Sequence, residues 1–298
     1  MNPSASAGMA VLLVGGGAVL LWSGTPIANK IAVAHMDPMT AGVLRSMLAG
    51  LIALGIATAA RLPRPRAPGH WGLLLGSGIA SFAVWPMLLS LGLGRTTANH
   101  AALILAQLPL LTGLIAAAVD RRWPRRGWWA GMALAGVGTF FLVFYRSDGA
   151  LLQEDGGLVG DLIILGGTVI CAGGYVAGGR LSPVIGTWST TFWGLAAALT
   201  VLIPTFLLRL PRTDWSGVGP AGWTAIAYLT ILSSLLGYAA WFWALGRGGI
   251  TRISSWQLLQ PVLTVGLAAA FLGEAVTVPL LLSAAAILAG TALAQPRK

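Results

Sequence analysis

Residues Tyr228–Glu274 read YLTILSSLLGYAAWFWALGRGGITRISSWQLLQPVLTVGLAAAFLGE, and this stretch decides the fold. It lies across two apolar runs, Gly222–Leu245 and Thr251–Leu272, joined by a tight basic turn at Gly246–Arg247–Gly248–Gly249. A bilayer core takes about 20 apolar residues of helix, so the spacing predicts a helical hairpin in a membrane. The pattern occurs twice. A shift of 152 positions lays Leu93–Gly94–Arg95 on Leu245–Gly246–Arg247, Pro109 on Pro261, Leu111–Thr112 on Leu263–Thr264, and Ala116–Ala118 on Ala268–Ala270. The chain reads as a duplicated unit.

Composition agrees. Of 298 residues, 56% are hydrophobic and only 9% charged, and mean hydropathy is +0.82. A soluble globule carries about a quarter charged residues, and here long uncharged helices would face water. The net charge of +10 raises nucleic-acid binding, but the basic residues, mostly Arg, gather in short loops, so no nucleic-acid partner is expected. The lone Cys171 sits in an apolar run, makes no intramolecular disulfide or metal cluster, and reads as a packing residue. The N-terminus lacks the basic region of a signal peptide and is expected to be a retained first helix.

Ten spans follow: Met9–Ala34, Met39–Ala60, Trp71–Leu93, Thr97–Val119, Trp128–Phe144, Leu158–Gly179, Trp188–Leu208, Gly222–Leu245, Thr251–Leu272 and Val276–Ala294. The acidic loop Ser147–Gly157 divides five from five. An odd number of helices per unit makes the second copy enter from the opposite side, so 1–147 and 148–298 are expected to be inverted repeats. Trp71 with Trp223 and Ser81 with Ser233 match at the same offset.

Cationic loops remain cytoplasmic. With the N-terminus inside, the inner segments hold Arg61, Arg64, Arg66, Arg121, Arg122, Arg125, Arg126, Arg180, Arg247, Arg252, Arg297 and Lys298, and the outer loops only Arg95, Arg146, Arg209 and Arg212. Both termini are therefore expected to be cytoplasmic.

Catalytic signatures are absent: no HExxH, GxSxG, Walker-type GxxxxGK or metal-spaced His/Cys cluster occurs, so no catalytic residue, metal or cofactor is expected. A membrane enzyme or scaffold remains as a second class. Asp37, Asp148, Glu154, Asp155, Asp161, Asp214 and Glu274 fall at or near the outer face, and Asp120 at the inner end of the fourth span. With no mid-membrane acid, proton coupling through a buried carboxylate is not expected. Lys30 and Arg45, in the outer third of their helices, either snorkel or form a carboxylate-attracting pair at the outer mouth. His100 either titrates near neutral pH or serves as a capping or satisfied structural histidine.

The Trp residues form two populations. Trp71, Trp123, Trp128, Trp129, Trp188, Trp215 and Trp223 lie at span ends, where indoles prefer the interface. Trp22, Trp85, Trp193, Trp241, Trp243 and Trp256 lie deeper, with Tyr175, Tyr238 and Phe82, and a buried indole N–H needs a partner or a wet cavity. Some are expected to line a cavity and others to pack. Pro109 and Pro261 each remove a backbone bond to the carbonyl four residues back, Leu105 and Gln257, so each helix is expected to bend there. Their matched placement favours a hinge pair over static kinks. Gly15–Gly17, Gly173–Gly174 and Gly178–Gly179 permit close helix contact.

The runs GYAAWFWALGRGGITRISSWQLLQPVLTVGLAAAFLGE, LGLGRTTANHAALILAQLPLL and AAAILAGTALA resemble the EamA-type ten-helix branch of the drug/metabolite transporter superfamily, over nearly the whole chain. The resemblance implies an all-α polytopic membrane protein and a cavity built from the inner helices of each repeat, with the fifth and tenth spans outside. It implies Trp22, Thr25, Phe82, Trp85, Asn99, Gln107, Tyr175, Tyr238 and Gln257 as cavity residues. This sequence lacks the deep acid of the small multidrug relatives, which argues against cation-for-proton exchange. Family members of this size include YddG-like amino-acid exporters, and an aromatic, polar, uncharged cavity suits zwitterions. The expectation is an inner-membrane exporter or exchanger of amino acids, a monomer or homodimer in the lipid bilayer, with nucleotide sugars or drugs as the alternative substrates.

Overall fold

The computed structural model describes residues 3–121, 123, 125–144, 157–248, 257 and 259–294. Among them there is no strand. Seven helical stretches are long and apolar enough to cross a membrane, and two more apolar helices are shorter. The protein is an all-α polytopic membrane protein.

The elements in order are α1 (Pro3–Ser23), α2 (Thr25–His35), α3 (Pro38–Ala59), α4 (Pro68–Gly78), α5 (Trp85–Leu93), α6 (Ala98–Leu105), α7 (Leu108–Asp120), α8 (Arg126–Phe144), α9 (Gly157–Ile185), α10 (Thr187–Arg209), α11 (Pro220–Ala227), α12 (Gly237–Gly248), α13 (Gln260–Leu272) and α14 (Val278–Ala294). Two π-helical segments, Ile79–Val84 and Tyr228–Leu236, join α4 to α5 and α11 to α12. Several spans read as continuous from sequence are thus interrupted. The first breaks at Gly24, where Pro26 has no N–H for the carbonyl four residues back. The fourth breaks at Ala106–Gln107, and Pro109 falls in the first turn of α7. Pro261 likewise falls in the first turn of α13. Both prolines therefore start a new helical segment, where the missing N–H is tolerated, rather than kinking the middle of one. The basic turn expected at Gly246–Gly249 begins later, because α12 runs through Gly248. Gly249–Trp256 and the acidic residues Asp148, Glu154 and Asp155 lie outside the described residues.

Small residues set the closest approaches. A Cβ on Gly131 of α8 would meet the Gly290 carbonyl of α14 at 2.5 Å, so these two helices touch backbone to backbone. Their other faces expose Phe140, Phe141, Leu281 and Leu282, as helices on the outside of a membrane bundle do. In α3, a Cβ on Gly42 would lie 2.8 Å from the Pro86 carbonyl, and one on Gly50 2.8 Å from the Leu195 carbonyl. α3 is wedged between α5 and α10 and its rotation is set. At its start Asp37 accepts from the Thr40 N–H (2.8 Å) and pairs with Arg209 (2.6 Å). Partial burial works against the Asp37 carboxylate, but these bonds outweigh it and hold the carboxyl below its usual range.

Candidate functional site

The interruptions meet at one place. A cavity of about 530 Å³ is lined from α1 and α2 by Trp22 and Thr25, from the first π segment by Ser81 and Phe82, and from the second by Ser233 and Ser234. Trp85, Tyr175, Tyr238 and Gln257 also line it, as do Pro109, Pro261, Thr112 and Thr264. Positions that match at an offset of 152 in sequence, Ser81 with Ser233, Pro109 with Pro261 and Thr112 with Thr264, face one shared space. Segments of α3, α5, α6, α7 and α10 complete the wall; α14 contributes Leu288, and no described side chain of α8 is part of the lining. Irregular helix at membrane depth is tolerated where it lines a cavity.

Local chemistry explains the wall. The Trp22 indole N–H donates to the Ser233 carbonyl at 3.0 Å, which satisfies both groups inside the second π segment. Thr25 and Ser233 hydroxyls lie 2.8 Å apart. Trp22 meets Tyr238 edge-on at 5.2 Å between ring centroids, and Phe82 meets Tyr238 at 5.7 Å, a geometry aromatic pairs prefer. Tyr228 donates from its hydroxyl to the Leu21 carbonyl at 2.8 Å, close to the break at Gly24. Trp193, read as deep, is buried and donates to the Leu62 carbonyl at 3.3 Å, so it packs rather than lines the cavity. Trp256 lies outside the described residues.

Two residues implied for the cavity do not reach it. Asn99 is buried near the start of α6, whose contribution to the lining begins at Ala102. Gln107 sits in the turn between α6 and α7; that turn rotates the helix face, so Ala106 and Leu108 line the cavity while the Gln107 side chain is buried near the Ile104 carbonyl at 3.5 Å. In the other direction, the sequence reading missed Ser46, Ser234 and Gln260 as cavity residues, and it weighed Arg45 only as one of a pair at the outer mouth. The matched pairs Ser81/Ser233 and Thr112/Thr264 were the available signal: polar residues repeated at one offset inside apolar runs.

The two cations behave differently from each other. Lys30 donates to the Leu93 and Thr96 carbonyls at 2.8 and 2.6 Å and so finishes the end of α5, where the third span gives way to the fourth. Arg45 is 5% exposed and lines the cavity, so it does not snorkel. His100 lies 2.7 Å from Asp161, which also accepts from Thr96 at 2.5 Å. Asp161 is fully buried in the bundle, and the histidine is a satisfied structural partner. Glu274 accepts from the Ala98 and Asn99 N–H groups at 2.7 and 2.9 Å, which places a carboxylate on the N-terminal end of α6. Arg180, near the far end of α9, pairs with Asp120 at the end of α7. Among the described residues no group of His, Cys, Asp and Glu could hold a metal ion.

The EamA-like transporter family model matches residues 9–144 and again 158–294. A Bacillus subtilis (strain 168) protein called uncharacterized transporter YdeK is 31% identical over 262 residues, 87% of this chain and 87% of that protein. A Salmonella typhimurium protein named "Probable amino-acid metabolite efflux pump" is 28% identical over 280 residues, 91% of this chain and 90% of its own. An Escherichia coli (strain K12) protein called uncharacterized inner membrane transporter YedA is 24% identical over 265 residues, 86% of this chain and 80% of that protein. One solved crystal structure superposes with a TM-score of 0.63 at 22% identity, covering 96% of each chain. At that identity it speaks for the fold alone.

Proposed function

The chain belongs to the EamA-like transporter family, and on that premise we propose that it exports or exchanges small organic metabolites, foremost aromatic or neutral amino acids, across an inner membrane by alternating access. The observation that carries this reading is the cavity of about 530 Å³, walled by aromatic rings and hydroxyls from both family-matched segments. Its size suits small organic ligands. The Salmonella relative named "Probable amino-acid metabolite efflux pump" supports the substrate class, and a YddG-like role agrees with it.

In this reading 1–147 and 148–298 are inverted repeats, supported by the matched pairs that face the cavity. Both termini are cytoplasmic, following the loop cations. Pro109 and Pro261 start the segments that swing, and the protein works as a monomer or homodimer. No carboxylate lines the cavity among the described residues, so flux follows the substrate gradient.

The test is counterflow into proteoliposomes with a panel of labelled amino acids, nucleotide sugars and cationic drugs. Uptake stimulated by unlabelled amino acid inside is the expected result. Flux of only a nucleotide sugar or a drug would reassign the substrate. The absence of any substrate-dependent flux would favour a membrane enzyme or scaffold.

A further inference from the structure

Arg45 lies about two turns into α3, and its side chain is almost fully buried against the cavity. Its Nε and Nη1 have no hydrogen-bond partner among the described residues. The helix cannot rotate to free it, because Gly42 and Gly50 hold α3 against the backbones of its neighbours and Thr230 donates to the Arg45 carbonyl at 3.2 Å. A guanidinium stays charged at any physiological pH, and a buried cation without a partner is unfavourable enough to be retained for ion or substrate work.

The protein supplies no counter-charge among its described residues. Asp37 pairs with Arg209, Asp120 with Arg180, and Asp161 with His100. Asp214 accepts from Ser216, and Glu274 from the N–H groups of Ala98 and Asn99. A second feature has the same sign. The N-terminal ends of α7 and α13, neither capped by a side chain, open on the cavity at Leu108 and Gln260, and helix N-termini favour negative charge.

We propose that Arg45 is the anion anchor of the cavity, and that the transported molecule is a compact carboxylate with an aromatic or apolar body. The carboxylate pairs with the planar fork of N–H donors that the Arg45 guanidinium brings to the cavity wall, a geometry that guanidinium and carboxylate share. The body lies against Trp22, Phe82 and Tyr238. This rests on the transport reading above and narrows it. The ammonium of an amino acid meets only neutral acceptors such as the Thr25 and Ser233 hydroxyls, whereas its carboxylate meets a charge. Cationic drugs are disfavoured.

The probes are 3-phenylpropionate, its neutral amide and phenethylamine, titrated into the purified full-length protein with quenching of the indoles, Trp22 and Trp85 among them, as the readout. The acid is expected to bind at least about ten-fold more tightly than the amide, the size of one charge-assisted hydrogen bond lost, and the amine more weakly still. Arg45→Gln is expected to bring acid and amide within about two-fold, and Arg45→Lys, which keeps the charge without the fork, to retain part of the preference. Equal binding of acid and amide by the wild-type protein, which needs no variant to fold, overturns the proposal. So does an Arg45→Gln protein that keeps the full preference. Acid binding without counterflow of any substrate would leave the anchor standing and remove the transport reading; counterflow of the amide at the rate of the acid would do the reverse.

Discussion

Two polar regions inside this apolar bundle use their charges in opposite ways. The corner around Lys30, Thr96, His100, Asp161 and Glu274 is closed on itself: lysine to carbonyls, histidine and threonine to aspartate, glutamate to a helix end. The cavity around Arg45 is rich in hydroxyls and rings but leaves Nε and Nη1 of its cation without a partner among the described residues. Burial alone does not separate structural from functional charge, since Asp161 is buried more completely than Arg45. The completeness of the hydrogen bonding does. A satisfied charge holds helices together, and an unsatisfied one is available to a ligand.

This contrast can be broken by substitution. The largest effect is expected from Asp161→Ala, which leaves the Thr96 hydroxyl and the His100 ring without their acceptor. A loss of about 2–4 kcal/mol is expected from such a buried pair, read as a lower thermal transition in detergent, while the preference for acid over amide is kept. If selectivity changed with stability, the corner would belong to the binding site.

Lys30→Met comes next. It strips the Leu93 and Thr96 carbonyls of their donor, for about 1–3 kcal/mol, again in the thermal transition and again with ligand preference unchanged. A collapse of the acid preference would mean that the two cations work together after all, as an electrostatic pair.

Asn99→Ala is the smallest. The side chain lies outside the cavity wall, so affinity for 3-phenylpropionate is expected to stay within about two-fold, the scatter of an uninvolved site. A larger change would extend the site toward the start of α6 and blur the line between the two regions.

Much of this was legible in the residues themselves. The length of the apolar runs determined a polytopic helical bundle, because crossing hydrocarbon leaves a chain few options besides helices of sufficient length. The offset of 152 singled out Pro109 and Pro261, and both reach the cavity. Trp22, Phe82, Trp85, Tyr175 and Tyr238 were legible as deep aromatics and do line it.

Which way a given side chain faces was decided only by the tertiary structure. In a soluble helix the polar face reports the direction of water, but here lipid-facing and core-facing stripes are both apolar, and the sequence carries little signal for rotation. A two-residue turn at Ala106–Gln107 was enough to remove Gln107 from the wall and bring Leu108 to it. Lys30 and Arg45 look alike as isolated cations in apolar runs. Lys30 lies beside the open carbonyls at the end of α5, while Arg45 is turned into the cavity by glycine contacts that hold α3 between its neighbours. Those contacts join residues far apart in the chain, so the role of each cation exists only once the helices are packed.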